Sequence, residues 1–240
     1  MPRSSPDFLT AIARRLPDVP RWVEVRAELL RGKGEIYGWQ QEPELSLVFR
    51  EPDLGTLFVV GTPLIEAVQE AINQNENSSE LIAPLAQKAW LSEALPGWTD
   101  SQIMLHTLKD HTQLPTSPAG MVDFLDPALL PRLAIPGELR QELTTGAEHS
   151  PVAATFVNAL PVSFCYAGAI TESWWDISID TLPEYRQKGY AALCVACMIR
   201  HLQKQGKQPV WAAVAENPAS WRLARKLGFT PVDELVLFTR

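Results

Sequence analysis

The chain has 240 residues, 46% of them hydrophobic and 20% charged, the balance of an ordinary folded protein. Its formal net charge of -7 argues against a general nucleic-acid-binding surface, although a local basic patch remains compatible with it. No apolar run approaches the ~20 residues needed to cross a bilayer, and the start MPRSSPDFLTAIARR reads as a polar lead into an amphipathic helix, not as a signal peptide. A cytoplasmic protein with no nucleic-acid or membrane partner is therefore expected, with a homodimer left open.

Along the first part, Phe8 to Leu16 and Trp22 to Leu30 carry apolar residues at three- and four-residue spacings and predict two packed helices. LSLVFR (Leu45 to Arg50) and TLFVVG (Thr56 to Gly61) are strand-like and flank EPDLG, a hairpin loop. Pro63 can open a helix over Leu64 to Ile72. NQNENSS (Asn73 to Ser79) is a polar breaker, Leu81 to Leu95 reads as helix, and Gln102 to Leu108 reads as strand. Proline and small polar residues in HTQLPTSPAG (His111 to Gly120) mark a linker.

After that linker, MVDFL reads as a short strand, and Ala128 to Leu143 as one or two short helices interrupted at Pro136-Gly137. Ala153 to Leu160 and Val162 to Ile170 form a hairpin pattern with a tight connection near Pro161, and Trp174 to Leu182 alternates as a strand does. Ala191 to Gln205 is helical, Pro209 to Ala215 a strand, Ala219 to Leu227 a helix stopped by Gly228, and Glu234 to Phe238 a last strand. The fold class implied is α+β, a mixed sheet with helices packed on it. Residues 1–115 form an additional α/β N-terminal region, and 116–240 the second domain. No internal repeat is evident in the sequence. Cys194 and Cys197 make a C-x-x-C inside a helical pattern, not at a helix start, so they and Cys165 read as buried reduced thiols. His106, His111, His149 and His201 are too scattered to predict a metal site.

The stretch with most chemistry is PEYRQKGYA (Pro183 to Ala191). A strand ends near Leu182 and a helix follows, so the first turn of that helix offers unpaired N–H groups and the positive end of its dipole. Gly189 removes the side chain where an anion would approach, and Arg186 and Lys188 add positive charge. Such a turn suits phosphate or diphosphate, though many strand-to-helix turns contain glycine and bind nothing. It is neither a Walker loop nor a dinucleotide fingerprint, since G-K-[ST] and G-x-G-x-x-G are absent.

R-x-x-G-x-A (Arg186, Gly189, Ala191) resembles the acyl-CoA diphosphate motif of the GNAT acetyltransferase superfamily, and ENPASWRLARKLGF (Glu216 to Phe229) resembles its N-x-A-S…LGF segment. The resemblance covers about Pro151 to Phe238, and within the superfamily the zwittermicin-resistance-like group is closest. It implies the GNAT fold and transfer of an acetyl group from acetyl-CoA to the amine of a small molecule or peptide. It implies further that backbone N–H groups of Gln187, Lys188, Gly189, Tyr190 and Ala191 take the diphosphate, beside Arg186. Pantetheine would bond to backbone at Ile179, Asp180 and Thr181, Ile179 serving also as the oxyanion donor. Asn217 and Ser220 would line the cofactor's thiol end, or else form a routine helix start. The family's usual acid, a tyrosine four residues before the glycine of the LGF segment, is replaced by Ala224.

A neutral amine must lose a proton as it attacks, so a base is needed. Asp176 stands first, on the strand face it shares with Ser178 and Asp180; Glu216 and Glu172 are lesser candidates. Trp174 and Trp175 must face opposite ways, and Tyr166 is a core or substrate-contact residue. An N-acetyltransferase whose N-terminal region shapes the acceptor pocket leads. A non-catalytic acyl-CoA-binding or regulatory module, and an interaction protein whose glycine turn is empty, remain as alternatives.

Overall fold

The computed structural model describes residues 3–40, 44–75 and 78–240, so Glu76 and Asn77 of the polar breaker lie outside the described residues. The chain divides into two compact units, the first comprising Met1–Leu105, Ala212–Pro218 and Pro231–Arg240, the second His106–Trp211 and Ala219–Thr230.

The first unit opens with α1 (Pro6–Ala13), its proline in the first turn where no N–H is missed, and α2 (Val23–Leu30). Leu9, Ile12 and Ala13 of α1 and Val25 and Leu29 of α2 are buried against one face of the sheet that follows. That sheet begins with β1 (Glu35–Gln40), β2 (Ser46–Arg50) and β3 (Leu57–Val60), paired antiparallel in succession. The Glu51 carboxylate accepts from the amides of Asp53, Leu54 and Gly55 and so fixes the EPDLG turn between β2 and β3. Then come α3 (Ile65–Asn73), β4 (Glu80–Pro84) parallel to β3, α4 (Lys88–Ala94) and β5 (Thr99–Thr107). The last strand of the chain, β11 (Thr230–Thr239), pairs antiparallel with β4, giving the order β1-β2-β3-β4-β11-β5.

Two elements differ from expectation. Leu81–Pro84 is strand, not helix; the helix starts only at Lys88 after a 3-10 turn, because a short apolar run carries no period that separates a buried strand from a buried helix. EIYGWQ forms β1 although Gly38 weakens its strand pattern. A Cβ at Gly38 would lie 2.1 Å from the Ala67 Cβ, so glycine there is what lets α3 lie against β1.

The second unit holds β6 (Val122–Phe124), a 3-10 segment (Pro127–Arg132), α5 (Gly137–Ala147), β7 (Ala153–Val157), β8 (Leu160–Ile170) and β9 (Trp174–Thr181). Next are α6 (Tyr190–Gln203), β10 (Gln208–Val214) and α7 (Pro218–Lys226), whose ends at Ala212–Val214 and Pro218 cluster with the first unit. Strands run in the order β10-β9-β8-β7-β6, with β10 parallel to β9 and the others antiparallel. The β7–β8 connection turns at Asn158 and Ala159, both at positive φ (51° and 64°), as a two-residue hairpin requires; Pro161 is already within β8. Gly228, at φ 90°, stops α7 as expected.

Although no repeat is legible in the sequence, the element order recurs. In each unit three antiparallel strands lead through a helix to a strand parallel to the third, and then to another helix. The two copies differ at the turn entering that crossover helix, and this difference locates the candidate site.

Candidate functional site

Strand β9 is paired on both edges only at its start. Trp174, Trp175 and Asp176 lie beside Gln208, Pro209 and Val210 of β10; from Ile177 to Thr181 the register continues with β8 alone. The Leu182 amide donates to Val162 O (2.9 Å) and the Gln208 amide to Ser173 O (2.8 Å). Even-numbered residues of β9 thus turn their backbone groups to β8 and odd-numbered residues turn theirs away. Ile177, Ile179 and Thr181 consequently present theirs along the edge away from β8.

The chain leaves this strand through Leu182–Gly189 and enters α6. Gln187 has φ 61° and Gly189 φ 87°, so two left-handed residues turn the backbone just ahead of the helix. Gly189 is the residue that precedes the first turn, and no side chain caps it. Nothing lies within 4 Å of the place a Gly189 Cβ would take, so the helix mouth is open. Arg186 Nε donates to Thr181 O (3.0 Å) and Lys188 Nζ to Glu184 O (2.8 Å), which ties both cations into the turn they stabilise. The Lys188 ammonium also lies 5.3 Å from the centre of the Tyr185 ring.

A buried chain of hydroxyls and a thiol fixes this helix start to the strand. Thr155 Oγ1 donates to Tyr190 O and lies 2.9 Å from Cys194 Sγ, which donates to Ser163 O. Ser163 Oγ in turn reaches Asp180 O (3.1 Å) and Thr181 Oγ1 (2.7 Å). Cys165 and Cys194 are buried free thiols and Cys197 is a half-buried one, not fully buried as expected; burial pushes Cys194 up to about 11, away from the thiolate that redox exchange uses.

In the first unit the corresponding turn spans only residues 61–64, and α3 is entered from an extended Leu64 instead of a left-handed glycine. A Cβ on Gly61 would lie 2.4 Å from Leu45 O, and the Gln87 amide fills the turn by donating to Gly61 O and Thr62 Oγ1. That mouth is closed.

On the face opposite the Ile179 side chain, β9 presents Asp176, Ser178 and Asp180. Asp176 Oδ1 is buried and has no hydrogen-bond partner. Burial raises its carboxyl from 3.8 to about 7, the Ile177 amide opposing the rise. Gly168 of β8 leaves room for this group: a Cβ there would sit 2.8 Å from Ser178 Oγ and 3.6 Å from Asp176 Oδ2. Tyr166, opposite Ser178 in register, hydrogen-bonds it and is pushed up to about 12, mainly by burial. Asp180 is raised by burial and by Glu142 of α5, with Arg186 pulling it down.

The Tyr166 ring packs under α5 only because residue 146 is glycine; a Cβ at Gly146 would lie 2.4 Å from Tyr166 Cδ2. Gly146→Ala is expected to overpack this contact and lower stability by about 1–3 kcal/mol, read as a fall in melting temperature. An unchanged melting temperature would show that α5 is not seated on Tyr166 in solution.

Asp176, Ile179, Asp180, Thr181 and the Arg186–Ala191 turn thus fall together in the second unit. Trp175 is fully buried and Trp174 half-buried, facing opposite ways as the strand period requires. Ser220 is also in the second unit, and its Oγ accepts from Trp211 Nε1 (2.9 Å). Glu216 and Asn217 belong to the first unit and are exposed in the turn before α7. Glu172 is exposed at the β8–β9 turn. Ala224 is fully buried, with no hydroxyl to offer. The Tyr166–Ser178 pair, Gly168 and Glu142 were not picked out together from sequence, since only strand register and the seating of α5 unite them.

Residues 154–238 match the model of the GNAT acetyltransferase family. No curated protein gives a significant sequence match. Among solved structures, a GCN5-related N-acetyltransferase-like protein from Streptococcus suis is 19% identical with TM-score 0.70, over 97% of this chain and 98% of its own. An acetyltransferase of the GNAT family from Colwellia psychrerythraea is 13% identical with TM-score 0.61, over 97% and 94%. A GCN5-related N-acetyltransferase from Kribbella flavida is 16% identical with TM-score 0.60, over 96% and 95%. At such identities these likenesses concern the fold. The chain has the fold of these GNAT acetyltransferases, and its residues 154–238 match that family's model.

Proposed function

We propose that the protein transfers an acetyl group from acetyl-CoA to a primary amine of a small molecule or peptide, by direct attack in a ternary complex. The observation that carries this is the open, uncapped mouth of α6 behind Gly189, set next to the free edge of β9. The family match over residues 154–238 supports acyl transfer as the class of reaction.

The residues present suit an acyl-CoA. Backbone amides from Gln187 to Ala191 would take the diphosphate in the positive field of the helix end, with Arg186 and Lys188 adding charge. The free edge from Ile179 to Thr181 would hold the pantetheine. Acetyl-CoA supplies the acyl group as a thioester, and the Ile179 N–H would donate to its carbonyl oxygen. Asp176 serves as the base. It stands three strand residues, ~10 Å, from Ile179, so the amine proton reaches it through water. The helix α7 has no tyrosine at Ala224 to protonate the thiolate, which leaves unprotonated or takes a proton from water.

That buried alanine favours one second reading, an acyl-CoA-binding module without catalysis. Calorimetry with acetyl-CoA and thiol release in the presence of an amine panel separate the two. Saturable binding with amine-stimulated thiol release is the expected result. Binding without release would favour the module, and absence of binding would rule out both.

A further inference from the structure

The acceptor side of the second unit carries more negative charge than proton removal requires. Asp176, Ser178 and Asp180 share one face of β9, with Tyr166 opposite Ser178 and Glu142 of α5 in electrostatic reach of both Tyr166 and Asp180. Arg186 is the cation that acts on Asp180, and its Nε is committed to Thr181 O. The row would be no more than a set of surface carboxylates but for one atom. Asp176 Oδ1 is shielded from solvent and has no hydrogen-bond partner, and the missing side chain of Gly168 is what makes room for its carboxylate and for Ser178 Oγ. A buried carboxylate oxygen without a donor calls for one, and an ammonium or amine supplies it.

Resting on the transferase function above, we propose that the acceptor is a diamine or polyamine, reacting through one nitrogen near Asp176 and Ser178 while a second, charged nitrogen is held by Asp180 and Glu142. Neighbours on this face are two strand residues apart, ~7 Å, which is the reach of a four- or five-carbon diamine. In the reaction the neutral nitrogen forms a bond to the acetyl carbon, the carbon–sulfur bond breaks with its electron pair leaving on sulfur, and the displaced amine proton passes to Asp176. The second nitrogen keeps its proton throughout, because the carboxylates beside it favour the charged form.

The test compares initial rates of thiol release from acetyl-CoA by the full chain with putrescine, spermidine and n-butylamine, and repeats the comparison with Glu142→Gln. We expect kcat/KM for putrescine to exceed that for n-butylamine by roughly tenfold or more, the scale of one charge-assisted hydrogen bond. The ratio within Glu142→Gln should shrink by several fold. Because each ratio is taken within one protein preparation, a partial loss of folded variant does not alter it. Equal rates with the monoamine and the diamines, or a ratio unmoved in Glu142→Gln, would overturn the diamine assignment alone. Acetyl-CoA binding with no turnover of any amine would overturn it together with the transferase function.

Discussion

Asp176→Asn is expected to bind acetyl-CoA as the parent does and to lose amine-dependent turnover by about 10²- to 10⁴-fold, the usual contribution of a positioned base. The structural reason is that Asp176 is the one carboxylate on β9 with a buried, unpartnered oxygen among the described residues. Its carboxyl is raised to about 7, so the parent should gain activity as the pH rises through that value and the base ionises. Asparagine cannot titrate, so the residual activity of the variant should lack that rise. The same group makes an opposite statement about stability. Its folded value lies above the ordinary 3.8, so the neutral form is what the fold prefers; its contribution is present at low pH and is lost as the pH rises from about 4 through about 7. Melting temperatures of the parent should therefore fall relative to those of Asp176→Asn across that window. Gain of activity and loss of stability over one pH interval would identify a single titrating group. A parent profile flat between pH 5 and 8, or full activity in the variant, would assign the base elsewhere.

Gly189→Val should weaken acetyl-CoA binding sharply while leaving most of the fold in place. Gly189 sits at φ 87°, where a β-branched side chain is strained by roughly 1–3 kcal/mol, and the relief available is to turn the peptide out of the left-handed region. That rotation redirects the amides at the mouth of α6. Since nothing lies within 4 Å of the added carbon, the harm comes from the backbone and from covering the mouth, not from a clash inside the protein. Calorimetry should show the dissociation constant rising by at least about tenfold, the equivalent of losing one or two charge-assisted hydrogen bonds. Unchanged affinity would mean that the diphosphate is held at some other place.

The second unit was far more legible in the sequence than the first. WWDISIDTL alternates from Trp175 to Asp180, a glycine turn follows, and α6 has a long apolar stripe, so period, punctuation and element type agree from Trp175 to Gln203. In the first unit, β1 is interrupted by the glycine that admits α3, and β4 is a five-residue strand, ELIAP, whose short apolar run ends in proline. Both are local signals overridden by packing that a linear reading does not contain. The recurrence of one element order in both units leaves no trace in residue identities, because the first unit filled its turn with Gln87 and Ser46 where the second kept an open glycine mouth. At the candidate site, the glycine turn ahead of α6 was legible from R-x-x-G-x-A, and the strand face of Asp176 from strand period. Its burial was not, because it depends on Gly168 across the β8 register and on the seating of α5 over Tyr166.

One experiment bears directly on the amide cradle that the whole functional account needs. In the amide NMR spectrum of the intact chain, adding acetyl-CoA should shift the resonances of Gln187, Lys188, Gly189, Tyr190, Ala191 and Ile179 in step with saturation, ahead of those in the closed turn at residues 61–64. Saturable shifts confined to other parts of the chain, with that set unmoved, would contradict it.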